Sequence, residues 1–326
     1  MIPYIHVPDL HLGPLTLHPF GLLVATGVIV GTALATRRAR ARGVDLDKLN
    51  SFITWMLVAG FIGGHVLDEI FYHPCEIWGC ADKAIKGRPW SLLFLWEGLS
   101  SFGGFTGGLF GIVAWKYFEM QPVKAIDFGI ARYTFYRPIR RAIVQPLLPF
   151  TDIILSVFPV AWIFGRSGCS VVHDHPGAHA PPDALLAVAY GHPTRIEHYG
   201  PIELRWGATP QYDLGLLELM FTVILAAVIA LTWSRRLRTG TYVVVCCMAY
   251  APVRFVMDFF RVRDLEGADP RYGGLTPAQW ACVALFAFGL YLARYVFQQK
   301  DDPMRLVLKN AAVDPAPALR EESPAG

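Results

Sequence analysis

Ionisable side chains interrupt the apolar stretches of this chain at a few places, and each interruption needs a physical reason. His65, Asp68 and Glu69 lie together in one stretch. Asp152 lies in another, with Arg166 at its end. Asp213 and Glu218 open a third. Arg254 and Asp258 are four apart in a fourth, on one helical face, and Arg261 follows. A buried ion pair that only fixes helix packing is one account of Arg254 and Asp258. Two arginines in apolar surroundings, Arg166 and Arg254, suggest more. Their planar fork of donors suits phosphate or carboxylate, and in a membrane an anionic lipid headgroup is the most available partner. The densest polar segment is Gly165-Arg-Ser-Gly-Cys-Ser-Val-Val-His-Asp-His-Pro-Gly-Ala-His. Its His173, Asp174, His175 and His179 are metal-ligand types. No second ligand set at fixed spacing accompanies them, so no metal or other cofactor is expected. His173 and His175 share a face of an extended segment and could supply an acid–base group. A solvated loop is the alternative.

The elements that hold these residues are apolar helices. The chain has 326 residues, 54% hydrophobic and 17% charged, with mean hydropathy +0.38. Soluble domains carry about 25% charged residues, so lipid is the expected solvent and the fold class expected is an all-α, polytopic membrane protein with a periplasmic loop region. A spanning helix needs about 20 apolar residues, and seven stretches qualify: 19–36, 52–72, 102–118, 147–164, 214–233, 242–260 and 278–297. They make residues 1–297 a single integral membrane domain, with 298–326 a polar, disordered cytoplasmic tail. Met1 to Leu17 shows neither a basic n-region nor a long apolar run, so the first span is expected to direct insertion. Arg37, Arg38, Arg40 and Arg42 follow the first span, Lys116 to Arg141 the third, and Arg235, Arg236 and Arg238 the fifth. These basic loops alternate with the others and are assigned to the cytoplasm, with the N-terminus outside. The same assignment explains the basic residues without nucleic acid. Cys75 and Cys80 fall in the first outward loop, where a disulfide is expected in an oxidising compartment and two free thiols are the alternative. Cys246, Cys247 and Cys282 read as small packing residues.

Several stretches, in order, resemble the bacterial prolipoprotein diacylglyceryl transferases. His18-Pro-Phe-Gly-Leu-Leu and Ala35-Thr-Arg-Arg-Ala-Arg resemble the first helix of that family. Gly60-Phe-Ile-Gly-Gly-His resembles the Gly-Gly-Arg of its second. Trp96-Glu-Gly-Leu-Ser-Ser-Phe-Gly-Gly is similar to its Trp-x-Gly-Gly-Leu-Ser-Phe-His-Gly-Gly. Asp152 through Gly165-Arg-Ser-Gly-Cys has the spacing of an Asp to Gly-Arg-x-Gly-Asn/Cys. Tyr250-Ala-Pro-Val-Arg-Phe-Val-Met-Asp-Phe-Phe-Arg resembles Tyr-Gly-x-x-Arg-Phe-x-x-Glu-Phe-Phe-Arg, and Leu275-Thr-Pro-Ala-Gln the opening of the last helix. The likeness runs from about residue 18 to 295.

The resemblance implies a bacterial inner-membrane enzyme that moves diacylglyceryl from phosphatidylglycerol to the lipobox cysteine of a prolipoprotein signal peptide. The product is a thioether, and glycerol-1-phosphate leaves. It implies a substrate-binding set of Arg166, Arg254, Tyr250, Asp258, Gly177, Cys169 and Arg261, with the two arginines 166 and 254 on the phosphate. Expected partners are phosphatidylglycerol, the prolipoprotein and membrane lipids, and no nucleic acid. The acceptor must become a thiolate to attack. The family histidine before Gly-Gly is Phe102 here, and Phe102 takes no proton. The first-helix tyrosine is Phe20, and the Asn-Gly before a family Glu is Val172-His173. The Gln-Leu-Tyr-Glu of the fifth helix stands as Gln211-Tyr-Asp-Leu. The expected base therefore moves to His173, His175 or Asp174. Two other readings use the same residues: a transporter path lined by buried ions, and a non-catalytic lipid-binding relative.

Overall fold

The computed structural model describes residues 1–13, 15–79, 86–93, 98–127, 132–262, 271–305 and 307–308. In chain order the elements are β1 (Ile2–His6), β2 (Leu10–Leu12), β3 (Leu15–Leu17), α1 (Pro19–Arg42), α2 (Leu46–Tyr72), α3 (Pro74–Trp78) and α4 (Ser101–Tyr117). Then come β4 (Phe118–Asp127), β5 (Arg132–Arg140), α5 (Leu147–Leu155), α6 (Phe158–Val172), β6 (Pro176–His179), β7 (Ala187–Tyr199) and β8 (Ile202–Asp213). The last are α7 (Leu214–Ala230), α8 (Thr241–Met257), a 3-10 turn at Asp258–Phe260, and α9 (Pro277–Gln298). Two compact units form. One comprises Met1–Arg38 and Thr151–Lys300, the other Ala39–Phe150 and Asp301–Gly326.

Helices dominate, and four of them, Pro19–Arg42, Leu46–Phe71, Thr241–Phe260 and Pro277–Gln298, are long and apolar enough to cross a membrane. The α5–α6 pair passes as a fifth, bent by 53°, where Ser156 Oγ bonds the Ile153 carbonyl and Pro159 opens α6. The two remaining stretches of the expected seven, α4 and α7, are helices of 17 residues. At 1.5 Å per residue that is about 25 Å, short of a hydrocarbon core of about 30 Å.

The all-α expectation needs correction. Residues 165–213, read as an outward loop, supply the end of α6 and three strands that join β1 in a sheet of order β1-β7-β8-β6, with a further β1–β8 pairing. The reason is local: Ile202, Leu204 and Trp206 alternate with Glu203 and Arg205, and Gly200 takes positive φ in the turn before them. The basic stretch after α4, read as a loop, is the β4–β5 hairpin. Arg37 to Arg42, also read as loop, continue α1. Arg38 is buried there, bonding Tyr242 Oη at 2.6 Å and lying over the Trp233 ring.

In the second unit α2 packs on α4 through glycine. A Cβ on Gly107 would meet the Ala59 carbonyl oxygen at 2.2 Å, and one on Gly63 would meet Gly107 Cα at 2.7 Å. Small residues at this spacing let helix backbones touch, which is how helices associate in lipid. Ser100 caps α4 through Gly103 N at 2.9 Å. Phe52, Trp115 and Phe150 fill the adjoining core with edge and stacked ring contacts. Cys75 is held in a disulfide. Its expected partner Cys80 lies outside the described residues, as do residues 309–326 of the expected tail and Trp96 and Glu97 of the third motif.

In the first unit the helix starts are secured by side chains. Asp152 Oδ1 accepts from Tyr242 N at 2.8 Å and Val243 N at 3.3 Å. A carboxylate at a helix N-terminus satisfies orphan donors and suits the dipole, so Asp152 caps α8. Asp213 caps α7 through Leu216 N, 2.9 Å. Thr276 and Gln279 form a capping box on α9.

Candidate functional site

Three helices of the first unit bring a chain of buried charges together. On α6, Trp162, Arg166 and Cys169 fall at helical spacing on one face, and Arg166 is 4% exposed. Glu218 comes from the second turn of α7 and is 2% exposed. Tyr250 and Arg254 come from the end of α8, and Asp258 and Arg261 from the 3-10 turn and its cap.

Glu218 is the hub. Its Oε1 lies 2.8 Å from Arg166 Nε and accepts from Tyr250 Oη at 2.8 Å and Trp162 Nε1 at 3.3 Å. Its Oε2 is 3.8 Å from Arg254 Nη1. Arg254 Nη2 is 3.6 Å from Asp258 Oδ1, which is also 3.0 Å from Arg261 Nε. Thr276 Oγ1 donates to Asp258 Oδ2. Several of these pairs meet by charge rather than by aligned hydrogen bonds, since Arg166 Nε and Arg261 Nε sit off the bonding direction of their carboxylates. Among the described residues, Glu218 is shared by Arg166 and Arg254, and Asp258 by Arg254 and Arg261. Arg254 is held loosely on both sides, at distances that leave its donors available to an anion.

Arg166 lies over the Trp162 ring, 4.7 Å from its centroid, and Nη1 donates to Cys169 Sγ at 3.6 Å. Gly168 belongs to the same turn, where a Cβ would meet the Phe20 ring at 2.8 Å. Gly177 also marks a close approach. A Cβ there would meet the Tyr212 and Phe260 carbonyl oxygens at 2.7 and 2.8 Å, and Gly177 bridges Arg261. Its place is to let β6 approach the turn that carries Asp258 and Arg261.

Past the end of α6, Asp174 Oδ1 and His175 Nδ1 share a very short contact. Among the described residues, Cys169, Asp174 and His175 bring one ligand atom each within 4.8 Å of one another. The Arg166 guanidinium beside the Cys169 sulfur puts a positive charge next to that group, which disfavours a cation and favours an anion. His179 lies on β6 outside this set, paired with Gln211. His173 turns away from it: Nδ1 is 2.6 Å from Asp213 Oδ2 and Nε2 3.1 Å from the Ile5 carbonyl. Tyr190 donates to the same Asp213 oxygen at 3.0 Å. Burial, and then the Asp213 charge, push the Tyr190 phenol well up, so it stays a donor.

The arginines, Tyr250, Cys169, Asp258 and Arg261 thus meet in one cluster, next to Asp174 and His175. Glu218 is the member that the motif reading left out of the binding set, because its surroundings depart from the family pattern. Its carboxylate inside an apolar stretch had already marked it as a candidate. His65 and Glu69 belong to the other unit. His65 Nε2 is 3.2 Å from the Ser91 carbonyl, and Glu69 accepts from Ser91 Oγ at 2.9 Å.

The family model described as prolipoprotein diacylglyceryl transferase matches residues 9–136 and 125–295. The phosphatidylglycerol–prolipoprotein diacylglyceryl transferase of Acinetobacter baumannii (strain ACICU) is 24% identical over 306 residues, covering 91% of this chain and 95% of the relative. That of Klebsiella pneumoniae (strain 342) is 27% identical over 277 residues, covering 81% and 85%. The chain belongs to the prolipoprotein diacylglyceryl transferase family.

Proposed function

Proceeding from that membership, we propose that this chain is an enzyme that transfers the diacylglyceryl group of phosphatidylglycerol to the lipobox cysteine thiol of prolipoproteins. The observation that carries the reading is the guanidinium pair on Glu218, with Arg254 held only at 3.8 Å from Glu218 and 3.6 Å from Asp258. The lipid phosphate enters as a monoanion and binds Arg166 and Arg254. The thiolate attacks the glyceryl carbon, a carbon–sulfur bond forms, and the carbon–oxygen bond to phosphate breaks. Glycerol-1-phosphate leaves with one more negative charge than the diester carried, and the arginines stabilise that developing charge. Tyr250 and Trp162 hold Glu218, which keeps both guanidinium groups in place.

The thiol proton goes to His175. Asp174 on Nδ1 orients the ring, which turns Nε2 to the substrate, and a carboxylate behind an imidazole stabilises the cation formed. Neither Phe102 nor His173 suits this step: one has no proton acceptor, and the other has both nitrogens engaged.

The seven apolar helices are read as spans of the bacterial inner membrane, with the N-terminus and the β1-β7-β8-β6 sheet outside and residues 298–326 in the cytoplasm. The alternation of basic segments supports this orientation. A periplasm-only reporter active after Trp78 and silent after Arg238 is the expected pattern, and the reverse rejects it.

The function is tested with the purified chain, phosphatidylglycerol and a lipobox peptide. Arg166→Lys and Arg254→Lys keep charge and lose the fork. Each should lower transfer at least about tenfold, or about 1.4 kcal/mol of transition-state stabilisation. Wild-type rates in both variants, at normal expression, contradict the clamp, and no thioether product from the wild type contradicts the activity.

A further inference from the structure

The turn that closes α6 is built on His173, the non-glycine residue with positive φ (51°) among the described residues. Left-handed backbone costs a residue that has a Cβ, and the surroundings of this one hold it. They do so from three sides. Asp213 comes from the β8–α7 junction and is fully buried. The Ile5 carbonyl comes from β1, which pairs with both β7 and β8. The Tyr4 ring stacks on the imidazole with centroids 3.8 Å apart.

The partners fix the ring. Its Nδ1 lies 2.6 Å from Asp213 Oδ2 and its Nε2 3.1 Å from the Ile5 carbonyl, so both nitrogens are engaged. Tyr190 donates to the same carboxylate oxygen at 3.0 Å and holds Asp213 in turn.

We propose that His173 is a positioning residue: the buried His173–Asp213 pair, tied to β1 through the Ile5 carbonyl, fixes the turn that presents Asp174 and His175 to the acceptor thiol. The inference rests on the reading of His175 as base. It makes strand β1, over 160 residues away in sequence, part of what aligns the reaction.

Glycine at 173 separates the two roles of the residue, because it adopts positive φ freely and has no imidazole. Asp213→Asn keeps the helix cap, for which Asn serves as well as Asp, and removes the charge. Both variants and His175→Ala are assayed between pH 6 and pH 10. His173→Gly and Asp213→Asn should lower kcat about tenfold or more at pH 7, the scale of a small misplacement of a catalytic group. KM for phosphatidylglycerol should stay within about twofold, since the arginines are untouched. The deficit should shrink above about pH 8.5, where the peptide thiol ionises unaided. A loss equal at every pH, or a wild-type profile in His173→Gly, overturns the proposal. If His173→Gly does not accumulate, Asp213→Asn decides by the same profile. His175→Ala at the wild-type rate rejects the base reading underneath. His175→Ala impaired beside a wild-type His173→Gly rejects the positioning role alone.

Discussion

Each unit buries a polar cluster on a helix apolar enough to span a membrane. In the second unit, His65 and Glu69 sit four apart on α2, nearly without exposure. The histidine faces the Ser91 and Gly98 carbonyls, and Glu69 accepts from Ser91 Oγ. Asp68 completes the group, 3.4 Å from His73 and so close to Gly98 that a Cβ there would meet Oδ2. The described partners are the Ser91 and Gly98 carbonyls, Ser91 Oγ and the His73 ring. In the first unit, two arginines share Glu218, and Arg254 is held at 3.6 to 3.8 Å on either side. Burial alone therefore does not mark a functional site. What distinguishes the first cluster is a guanidinium pair on one carboxylate, with Arg254 held loosely enough to take an anion.

The strongest way to break this contrast is at Glu218. Glu218→Gln keeps the shape and removes the charge that two arginines share. Breaking a buried pair in this way costs about 3–5 kcal/mol, so the unfolding midpoint in detergent should fall more than for any change made in the second unit. Phosphatidylglycerol should restore more of the lost midpoint in the variant than it adds to the wild type, because a phosphate supplies the missing negative charge. Equal lipid shifts in the two proteins would remove the argument for an anion at this place.

A smaller effect is expected at Ser91. Ser91→Ala removes a donor from the buried Glu69 carboxylate, worth about 1.5–3 kcal/mol for a bond to a charged group. Stability should drop, while transfer per folded molecule should stay within about twofold of wild type. A tenfold loss of rate at wild-type stability would make the second cluster catalytic and end the distinction drawn above.

What could be read in advance follows the same division. Arg166, Arg254, Asp258 and Arg261 were legible because a charge inside an apolar run has few explanations. Their mutual contacts were legible only where sequence spacing sets them, as for Arg254 and Asp258. Glu218 pairs with Arg166 from 52 positions away, and His173 depends on Asp213 and on Ile5; no periodicity carries such pairings. The helices announced themselves by length and hydropathy. The sheet did not, because Gly191, Pro193 and Pro210 interrupt the alternation of β7 and β8, and the register shifts between Tyr190 and Pro193 and again before Arg195. Asp152, singled out as a charge inside an apolar stretch, is a helix cap, a role that depends on where another helix begins.

The smallest expected effect lies outside the membrane-spanning segments, at Glu203 on β8. Arg205 donates to its Oε2 through Nε at 2.8 Å and Nη2 at 2.7 Å. That bond, ahead of any other influence, holds the Glu203 carboxyl below its ordinary value of 4.5. A carboxyl with a depressed value in the folded state contributes stability above its unfolded value, and loses it as pH falls through the folded one. The contribution of Glu203 should therefore be present at pH 7, decline from about pH 4.5 downward, and vanish once the carboxyl is protonated. Both partners are partly open to water, so salt should screen the effect even at neutral pH. Unfolding midpoints of wild type and Glu203→Gln should differ slightly at pH 7 in low salt and converge at pH 3, and also in 1 M salt. A difference that survives acid and salt would mean that Glu203 acts through packing against β1, whose His6 it faces in register, rather than through charge. The contrast with Glu218 would then rest on burial of surface and not on the fate of a buried charge.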